Sequence, residues 1–343
     1  MRAVHVTRHG GPEVLEVVEA PEPKPAPGEV RVRVAAVSLN HLDVWVRRGM
    51  PGVEIPMPHV PGCDGTGVVD ALGDGVDGVR VGDRVLLEPG FTRSDGPEVQ
   101  AGLDHLAPDY GIRGEHAPGF AAELVCLPER YVTGIPDGID LVEAAALPLV
   151  FLTAWGMLVT RAEVRPGETL LVLGAASGVG SAGIQIAKAE GCRVLATGGS
   201  EAKRALGREL GADEVFDHTD PDWPRAVKGA TGGRGVDVVL EHVGPATWSG
   251  SMRSLARRGR LVTCGGTTGP EVALQLPHLF MKNQSVLGST MGPRTALSDI
   301  LAATARGAFR PVVDRVLPVE EVRDAHRLLE GREVVGKLVL TFR

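Results

Sequence analysis

The second half of the chain alternates short apolar segments with helical ones, and this alternation restricts the fold more than any other feature. The apolar segment Thr169–Leu173 precedes a helical pattern over 179–190, and Arg193–Thr197 precedes one over 201–210. Strands that are apolar throughout are buried on both faces, and helices between them make successive strands parallel. Further strands are predicted at 214–216, 236–240, 259–263 and 285–288. The sequence therefore predicts an α/β fold with a doubly wound parallel sheet.

The first 125 residues follow a different pattern. Glu29–Val34 alternates polar and apolar residues like a half-buried strand, and 65–70 and 83–87 are further strands bounded by glycine and aspartate. Proline and glycine are dense here, as in a β-barrel with tight corners. No long helical period occurs before residue 141. We therefore expect a barrel domain in this part of the chain.

The residues after 295 contain a helix, a strand near 315–317, a helix over 319–330 and a last strand at 337–340. This segment is too small to bury a core of its own. We therefore expect residues 1–125, completed by 295–343, to form one domain and residues 126–294 to form the other.

Charge and cysteine usage exclude several classes of protein. The net charge of −7 is unlike that of a nucleic-acid-binding domain. No apolar run reaches the roughly 18–20 residues of a membrane helix, and the N-terminus lacks a secretory pattern, so a cytoplasmic protein is expected. The four cysteines lie more than sixty residues apart with no CxxC pair, which argues against a disulfide framework or a closed zinc site.

The turn after the first sheet strand has the composition of a phosphate-binding loop. It runs from Gly174 to Gly180 as Gly-Ala-Ala-Ser-Gly-Val-Gly, with Ala175 and Ser177 in place of two glycines of the dinucleotide fingerprint. Small residues let the backbone approach a pyrophosphate, and the following helix N-terminus favours negative charge. The alternative is a glycine-rich turn without a cofactor. The residues assigned to the cofactor here are Ala176, Ser177, Gly178, Val179 and Gly180.

The end of the second sheet strand favours NADPH over NADH. An NAD enzyme usually carries a carboxylate here for the adenosine ribose, whereas this chain has Gly198, which leaves space for a 2′-phosphate. Ser200 is placed to cap the next helix, and Lys203 and Arg204 follow in its first turn. A hydroxyl and two cations at a helix N-terminus suit a phosphate. The alternative is that both cations are a solvated helix face.

The chain resembles the medium-chain dehydrogenase/reductase superfamily, and within it the zinc-free quinone oxidoreductase-like branch, over essentially its whole length. The motifs that carry the resemblance lie at residues 10–16, 40–43, 60–69, 82–85, 174–180, 210–213 and 336–340. The resemblance implies a GroES-like β-barrel domain closed by the C-terminal segment, a Rossmann dinucleotide-binding domain and a cleft between them. It also implies a homodimer or homotetramer paired through the cofactor domain.

Zinc alcohol dehydrogenases share this fold, and their zinc-ligand positions are mostly non-ligating in this chain. The catalytic positions correspond to Asn40, the pair Cys63 and Asp64, and Leu149. Zinc needs three protein ligands with one open position, which this set does not supply. The segment 88–116 has the length of the family's structural-zinc lobe, but its four cysteine positions are occupied by Arg93, Gly96, Val99 and Ala107. The resemblance therefore predicts that both zinc ions are absent.

Further site residues are carried over from the family by position. Asn40, Asp43 and Trp45 are expected to border the nicotinamide and the substrate, and Cys63 and Asp64 complete the predicted catalytic set. His41 and Lys337 are expected near the pyrophosphate, and His218 near the 2′-phosphate. The residues expected at the nicotinamide end are Thr153, Gly265, Gly266, Ser289, Thr290 and Met291. For each residue the alternative is a role in packing or in a turn.

A site without a metal favours acceptors that stabilise the incoming hydride themselves. No Lewis acid would lower the pKa of an alcohol, whereas a quinone becomes an aromatic hydroquinone and a conjugated enone or enal becomes an enolate. We therefore expect an NADPH-dependent oxidoreductase acting on a small quinone or enone. The alternatives are a zinc-type alcohol dehydrogenase and a non-enzymatic NADPH-binding protein.

Overall fold

The computed structural model describes residues 1–50 and 52–342, which divide into two compact units. The barrel unit comprises Met1–Leu149 together with the chain from Pro293 onward, and the sheet unit comprises Val150–Gly292. The barrel unit therefore extends past the boundary that the sequence placed after residue 125. The reason is that strands at Leu124–Pro128 and Val132–Gly134 hydrogen-bond to earlier strands of the barrel unit.

The strands are numbered β1 to β17 in chain order. They are β1 (Arg2–Val6), β2 (Leu15–Glu19), β3 (Glu29–Ser38), β4 (Asp64–Leu72), β5 (Arg84–Leu87), β6 (Gly90–Phe91), β7 (Gly111–Ile112), β8 (Leu124–Pro128), β9 (Val132–Gly134), β10 (Thr169–Val172), β11 (Arg193–Thr197), β12 (Glu214–Phe216), β13 (Val236–Glu241), β14 (Leu255–Thr263), β15 (Ser285–Gly288), β16 (Val313–Pro318) and β17 (Lys337–Thr341).

The α-helices are numbered in the same way. They are α1 (His41–Arg48), α2 (Pro97–Gln100), α3 (Leu141–Ala144), α4 (Pro148–Trp155), α5 (Gly178–Ala189), α6 (Glu201–Glu209), α7 (Trp223–Ala230), α8 (Pro245–Ser254), α9 (Leu276–Met281), α10 (Ala296–Ala305) and α11 (Val322–Glu330). A π-helical turn, Gly156–Arg161, extends α4. Within residues 1–50 and 52–342, no helix combines the length and apolar character needed to cross a membrane.

The sheet unit is built on one six-stranded parallel sheet, in the order β12-β11-β10-β13-β14-β15. The sequence prediction of a doubly wound Rossmann sheet is confirmed. Strand β10 is fully buried, as its continuous apolar sequence predicted. The strand order reverses between β10 and β13, and at such a switch point the carboxyl ends of the strands open a crevice that binds ligands.

The barrel unit contains a seven-stranded sheet with the path β16-β17-β3-β4-β5-β9, and β8 also pairs with β3. The last strand, β17, lies antiparallel to β3, with Val339 opposite Ser38. The C-terminal segment thus completes this sheet. The pairing also sets Lys337, the first residue of β17, beside the end of β3, where Asn40 follows.

Helix α1 begins in the barrel unit at a point where the sequence showed no long helical period. It has eight residues, too few for a periodic pattern to be distinctive, and its start is fixed by a local contact. The Asp43 carboxylate, at the third helical position, accepts the backbone N–H of Asn40 at 2.7 Å. This is one half of a capping box, which satisfies a backbone donor that the helix leaves unpaired.

The other end of α1 is tied to α11 through a buried arginine. The Arg47 guanidinium is fully buried, donates to the Gly10 carbonyl at 3.1 Å and to His326 Nδ1 at 3.3 Å, and pairs with the Glu330 carboxylate. Burial, together with the charge of Arg47, lowers the pKa of His326 to about 3, so its ring is neutral and accepts the guanidinium N–H. This cluster fixes the position of the helix that begins at Asn40.

Replacement of Arg47 by leucine is expected to lower the free energy of unfolding by about 3–5 kcal/mol, because it leaves buried acceptors without their donor. Arg48→Leu is the matched control, since Arg48 lies on the same helix and pairs with the same Glu330 at 2.8 Å but is exposed. It is expected to cost about 1 kcal/mol or less. Denaturant unfolding of the two variants measures this difference, and equal losses would contradict the assigned role of Arg47.

Candidate functional site

The predicted phosphate turn joins β10 to α5 in the sheet unit and is closed by a contact that tolerates only glycine. A Cβ atom added to Gly180 would lie 2.0 Å from the Gly174 carbonyl oxygen, well inside contact distance. Gly174 itself has a φ of +66°, a conformation that glycine adopts without strain. The glycines at both ends of the turn therefore draw the first turn of α5 against the end of β10.

Ser177 is the N-cap of α5, as its position before the helix suggests. Its Oγ accepts the Gly180 N–H at 2.9 Å, and Gly178 and Val179 form the start of the helix. Ala176 is buried beside the cap. The unpaired N–H groups of the first helical turn and the helix dipole make this a site suited to a pyrophosphate. The five turn residues predicted from the sequence are thus gathered at one helix N-terminus.

His242 adjoins this turn and was not found from the sequence. It follows β13, and its Nε2 lies 2.9 Å from the Leu173 carbonyl oxygen and 3.1 Å from Ser177 Oγ. The preceding residue, Glu241, is fully buried, and its carboxylate accepts hydrogen bonds from the Thr247 and Ser251 hydroxyls. A single histidine after an apolar strand has no distinctive spacing, so only the adjacency of β10 and β13 could have indicated its place.

The end of β11 lies next to the start of α6, where the sequence predicted the 2′-phosphate site. Ser200 caps α6, with its Oγ accepting the Lys203 N–H at 3.4 Å, as predicted. The Arg204 guanidinium donates to the Asp217 carboxylate at 2.6 Å and to the Gly198 carbonyl at 3.2 Å. Arg204 is therefore held in contacts within the sheet unit, whereas the sequence had grouped it with Lys203 as a phosphate ligand.

His218 lies beside the same strand end. Its Nδ1 is 3.0 Å from Thr197 Oγ1, and a Cβ added to Gly199 would lie 2.9 Å from its Nε2. Burial lowers the pKa of His218, and the positive charges of Lys203 and Arg204 lower it further, against the opposing effect of Asp217. The ring is therefore neutral near pH 7, and Lys203 lies within electrostatic reach of it.

The residues expected at the nicotinamide end come from three segments of the sheet unit. Thr153 on α4 lies 3.6 Å from the sulfur of Met291, measured from its Oγ1, so these two predicted residues are in contact. The Ser289 N–H donates to the Thr263 carbonyl at 2.9 Å, which places Ser289 and Thr290 directly after β15. Gly265 and Gly266 follow β14, and a Cβ on Gly266 would lie 2.3 Å from the Gly269 carbonyl.

The predicted catalytic residues form a buried polar cluster in the barrel unit, centred on Asn40. Its Oδ1 accepts from the Lys337 ammonium, and its Nδ2 donates to Asp64 Oδ2 at 2.8 Å. Lys337 Nζ lies 3.4 Å from the same Asp64 oxygen. The Leu149 N–H donates to the other Asp64 oxygen at 2.8 Å. All three side chains are 6% exposed or less, so these contacts take place out of water.

Two more predicted residues border this cluster. Asp43 accepts the Gly62 N–H at 2.9 Å in addition to that of Asn40, and burial raises the pKa of its carboxyl to about 6. Cys63 lies 3.3 Å from Asn40 Nδ2, measured from its sulfur. Burial, reinforced by the charges of Asp43 and Asp64, raises the pKa of Cys63 well above its usual range. Its sulfur is therefore a thiol rather than a thiolate.

His41 and Trp45 lie one turn apart on α1, with ring centroids 6.4 Å from each other. His41 and Lys337, which the sequence assigned to the cofactor, both belong to the barrel unit, and Lys337 contacts the predicted catalytic residues Asn40 and Asp64. The sequence had assigned Lys337 to the cofactor and Asn40 and Asp64 to catalysis, whereas these three side chains are in contact.

The four positions that correspond to a catalytic zinc site contain one thiol, one carboxylate, one amide and one leucine. Within residues 1–50 and 52–342, no group of three or more histidine, cysteine, aspartate or glutamate side chains could hold a metal ion. The 88–116 segment is held by ion pairs and polar contacts. Arg294 pairs with Glu88 at 3.0 Å, and the Arg93 N–H donates to Asp109 at 3.0 Å.

Two family models match the two parts of the chain. Residues 26–137 match the alcohol dehydrogenase GroES-like domain, and residues 178–306 match the zinc-binding dehydrogenase domain. A quinone oxidoreductase from Pseudomonas aeruginosa is 33% identical over 99% of this chain and 99% of its own. The chain belongs to the medium-chain dehydrogenase/reductase superfamily. It is an NAD(P)-dependent oxidoreductase, and membership implies a nicotinamide cofactor.

Solved structures of superfamily members resemble the whole chain. One, named an NAD-dependent alcohol dehydrogenase, has a TM-score of 0.97 and 48% identity, covering 100% of both chains. Another, a cobalt- and zinc-bound thermostable alcohol dehydrogenase from Pyrobaculum aerophilum, has a TM-score of 0.90 and 35% identity, covering 99% of each chain. The chain therefore has relatives named for quinones and relatives named for alcohols, and the choice between these two substrate classes depends on the residues of its own site.

Replacement of Gly180 by alanine is expected to abolish measurable binding of either nicotinamide cofactor, because the methyl group would push α5 away from Gly174. Gly229→Ala is the matched control. Gly229 lies in α7, and apart from its chain neighbours and the helix's own backbone no atom of the described residues lies within 4 Å of an added Cβ. Alanine there is expected to stabilise the helix by about 0.5–1 kcal/mol. Fluorescence titration with NADPH and NADH measures the effect. Normal binding by Gly180→Ala would show that the turn is not the pyrophosphate site.

Proposed function

We propose that this protein is an NADPH-dependent oxidoreductase that transfers hydride to a quinone or a conjugated enone or enal without zinc. The observation that carries the proposal is the contact of the Lys337 ammonium with Asn40 and Asp64, two residues at positions that correspond by resemblance to zinc ligands of zinc-type relatives. In this chain the Lys337 ammonium already donates hydrogen bonds to the Asn40 and Asp64 oxygens, which would otherwise be available to a metal ion.

The donor set does not fit zinc, for three reasons. The Asp64 carboxylate already accepts from Asn40, Lys337 and the Leu149 N–H. Asn40 and Leu149 offer neither a thiolate, an imidazole nor a carboxylate, so the corresponding positions do not supply three protein ligands of the kinds that zinc prefers. A dication placed here would also meet the positive charge of Lys337 at short range in a buried site, where repulsion is weakly screened. These features support a site that works without a metal.

The chemistry of the acceptor follows from that site. The nicotinamide ring, when bound, supplies the hydride. The chain's own residues then bind and orient the acceptor and exclude water from it. The Lys337 charge is already engaged with Asn40 and Asp64, so the cluster offers no Lewis acid that would lower the pKa of a plain alcohol as a metal does. A quinone or an enone needs no such help, because its own conjugated oxygen takes up the negative charge.

The end of β11 supports NADPH as the cofactor. Gly198 stands where a carboxylate would repel a 2′-phosphate, and Ser200 and Lys203 provide a hydroxyl and a positive charge at the start of α6. The ion pairs of Arg204 with Asp217 and Glu201 make those two carboxylates less repulsive to a phosphate, because each already faces a cation. The balance of charge therefore favours the phosphorylated ribose.

A second copy of this chain is the proposed partner. Strand β15 is one of the two edge strands of the parallel sheet, and in the part of the chain that the structure describes no further strand pairs with its outer side. Exposed apolar side chains occur on β15 and on α9, the helix that precedes it in the chain; they include Val286 of β15 and Leu276, Phe280 and Met281 of α9. Apolar groups at a free sheet edge are typical of an interface, so pairing of two copies through the sheet unit would cover them.

Turnover with a panel of acceptors tests the proposed function. The purified protein is mixed with NADPH or NADH and with a 1,4-quinone, a conjugated enone, a conjugated enal and a saturated aldehyde, and primary alcohols are tested with NADP⁺ and NAD⁺. We expect oxidation of NADPH with the quinone or the conjugated carbonyls, and little with the saturated aldehyde. Turnover confined to alcohols with NAD⁺ would refute the proposal.

An alcohol dehydrogenase that uses NAD is the second candidate function. It is favoured by the 48% identity to a structure of that name over the full length of both chains. The same panel separates the two candidates, because the first requires an activated acceptor and the second does not. Zinc content separates them independently, because a zinc-type alcohol dehydrogenase is expected to hold zinc and the proposed enzyme is not.

Gly198→Asp is expected to weaken NADPH binding about ten- to a hundred-fold relative to Gly198→Ala, by placing a carboxylate beside the 2′-phosphate. The alanine variant is the necessary control, since any Cβ at this position would lie 3.1 Å from the backbone N and the Cγ of Arg204. NADH binding is expected to be as tight in the aspartate variant as in the alanine variant or tighter, because a carboxylate at this position can accept hydrogen bonds from the ribose hydroxyls. Equal NADPH affinities for aspartate and alanine would mean that the 2′-phosphate does not lie at this strand end.

A further inference from the structure

The carboxyl ends of β10 and β13 meet at His242, a residue that none of the roles above includes. We propose that His242 is a positioning residue that directs the hydroxyl proton of Ser177 onto a phosphate oxygen of the bound cofactor. The inference rests on the binding of a nicotinamide dinucleotide at the β10–α5 turn, and it holds for NADPH and NADH alike.

The tautomer of His242 follows from its partners. The Leu173 carbonyl oxygen, 2.9 Å from Nε2, can only accept a hydrogen bond, so Nε2 carries the proton. Burial lowers the pKa of His242, although Glu241 opposes this effect, and the ring is neutral near pH 7. His242 is therefore a neutral N–H donor at the base of the turn.

This tautomer determines what the Ser177 hydroxyl can do. Nε2 lies 3.1 Å from Ser177 Oγ, and since it is protonated it cannot accept the serine proton. The Gly180 N–H also points at Oγ, from 2.9 Å. The single Nε2 hydrogen is shared between the Leu173 carbonyl oxygen and Ser177 Oγ. Together with the Gly180 N–H it faces the lone pairs of Oγ, so the hydroxyl hydrogen must turn away from both donors. The remaining direction is that of the open helix N-terminus, where a pyrophosphate oxygen would accept it.

His242 is held firmly enough to impose this orientation. Its own carbonyl accepts from Thr267 Oγ1 at 3.0 Å, and the neighbouring Val243 carbonyl accepts from Thr268 Oγ1 at 2.7 Å. On the other side, the buried Glu241 carboxylate accepts the backbone N–H groups of Val243 and Gly244 at 2.7 and 3.1 Å. The backbone on both sides of the ring is therefore anchored within the sheet unit.

A cycle of variants tests the inference through cofactor binding. His242→Leu and His242→Phe both remove the N–H, and His242→Gln keeps an amide N–H at the same number of bonds from the backbone. Each change is made in the wild-type chain and in Ser177→Ala. Dissociation constants for NADPH and for NADH are measured by fluorescence titration, and the thermal unfolding midpoint of each cofactor-free variant is recorded. Either of the two variants without an N–H suffices if the other does not fold.

The expected pattern is a loss of about ten-fold in affinity for both cofactors in the variants without an N–H, and a loss within about two-fold in His242→Gln. In the Ser177→Ala background the same changes at His242 are expected to have no further effect on affinity. A purely structural role would lower the unfolding midpoints and would weaken binding in both backgrounds.

Equal losses for Gln and Leu, or losses that persist without the Ser177 hydroxyl, would overturn the inference. Tighter binding of NADH than of NADPH by the wild-type protein would refute the proposed cofactor preference alone and leave this comparison intact. Failure of the wild-type protein to bind either cofactor would refute both.

Discussion

A buried lysine–carboxylate contact determines most of what the barrel unit can do. Lys337 begins the last strand and contacts Asn40, which follows β3, and Asp64, which begins β4 at the same end of that strand pair. A buried charge is tolerated only when it is paired and hydrogen-bonded, so the C-terminal strand, the end of β3 and the start of β4 must keep their register for Lys337 to remain satisfied. The same contact places a positive charge beside the Asp64 carboxylate and the Asn40 amide oxygen.

The rest of the barrel site is arranged around that pair. Asp43 accepts backbone N–H groups from Asn40 and Gly62, so one carboxylate fixes both the start of α1 and the chain that leads to Cys63. Arg47 then ties α1 to α11. In the sheet unit the corresponding constraint is steric. Gly180 packs against the Gly174 carbonyl with no room for a Cβ, and this close approach accompanies the cap that Ser177 forms on α5. Each unit thus positions its polar groups by a contact that admits few substitutions.

The sequence predicted the parallel sheet and the cap at Ser200, because continuous apolar strands and N-cap residues have local signatures. It did not find helix α1, whose eight residues show too little periodicity. It did not reveal the ion pair of Arg204 with Asp217, because the two residues are 13 apart in sequence, and the assignment of Arg204 to the phosphate stays a prediction. His242 was missed for a similar reason, since its partners Leu173 and Ser177 lie on another strand and turn. Long-range side-chain partners leave no local pattern.

The central claim is that a lysine ammonium, rather than zinc, occupies the polar cluster of a working oxidoreductase. Elemental analysis of protein that has been dialysed against excess zinc and then freed of unbound metal tests it most directly, with NADPH oxidation measured on the same sample. If Lys337 occupies the cluster, we expect far less than one zinc per chain and turnover that a chelator does not change. About one zinc per chain, with turnover lost on chelation and restored by zinc, would contradict it.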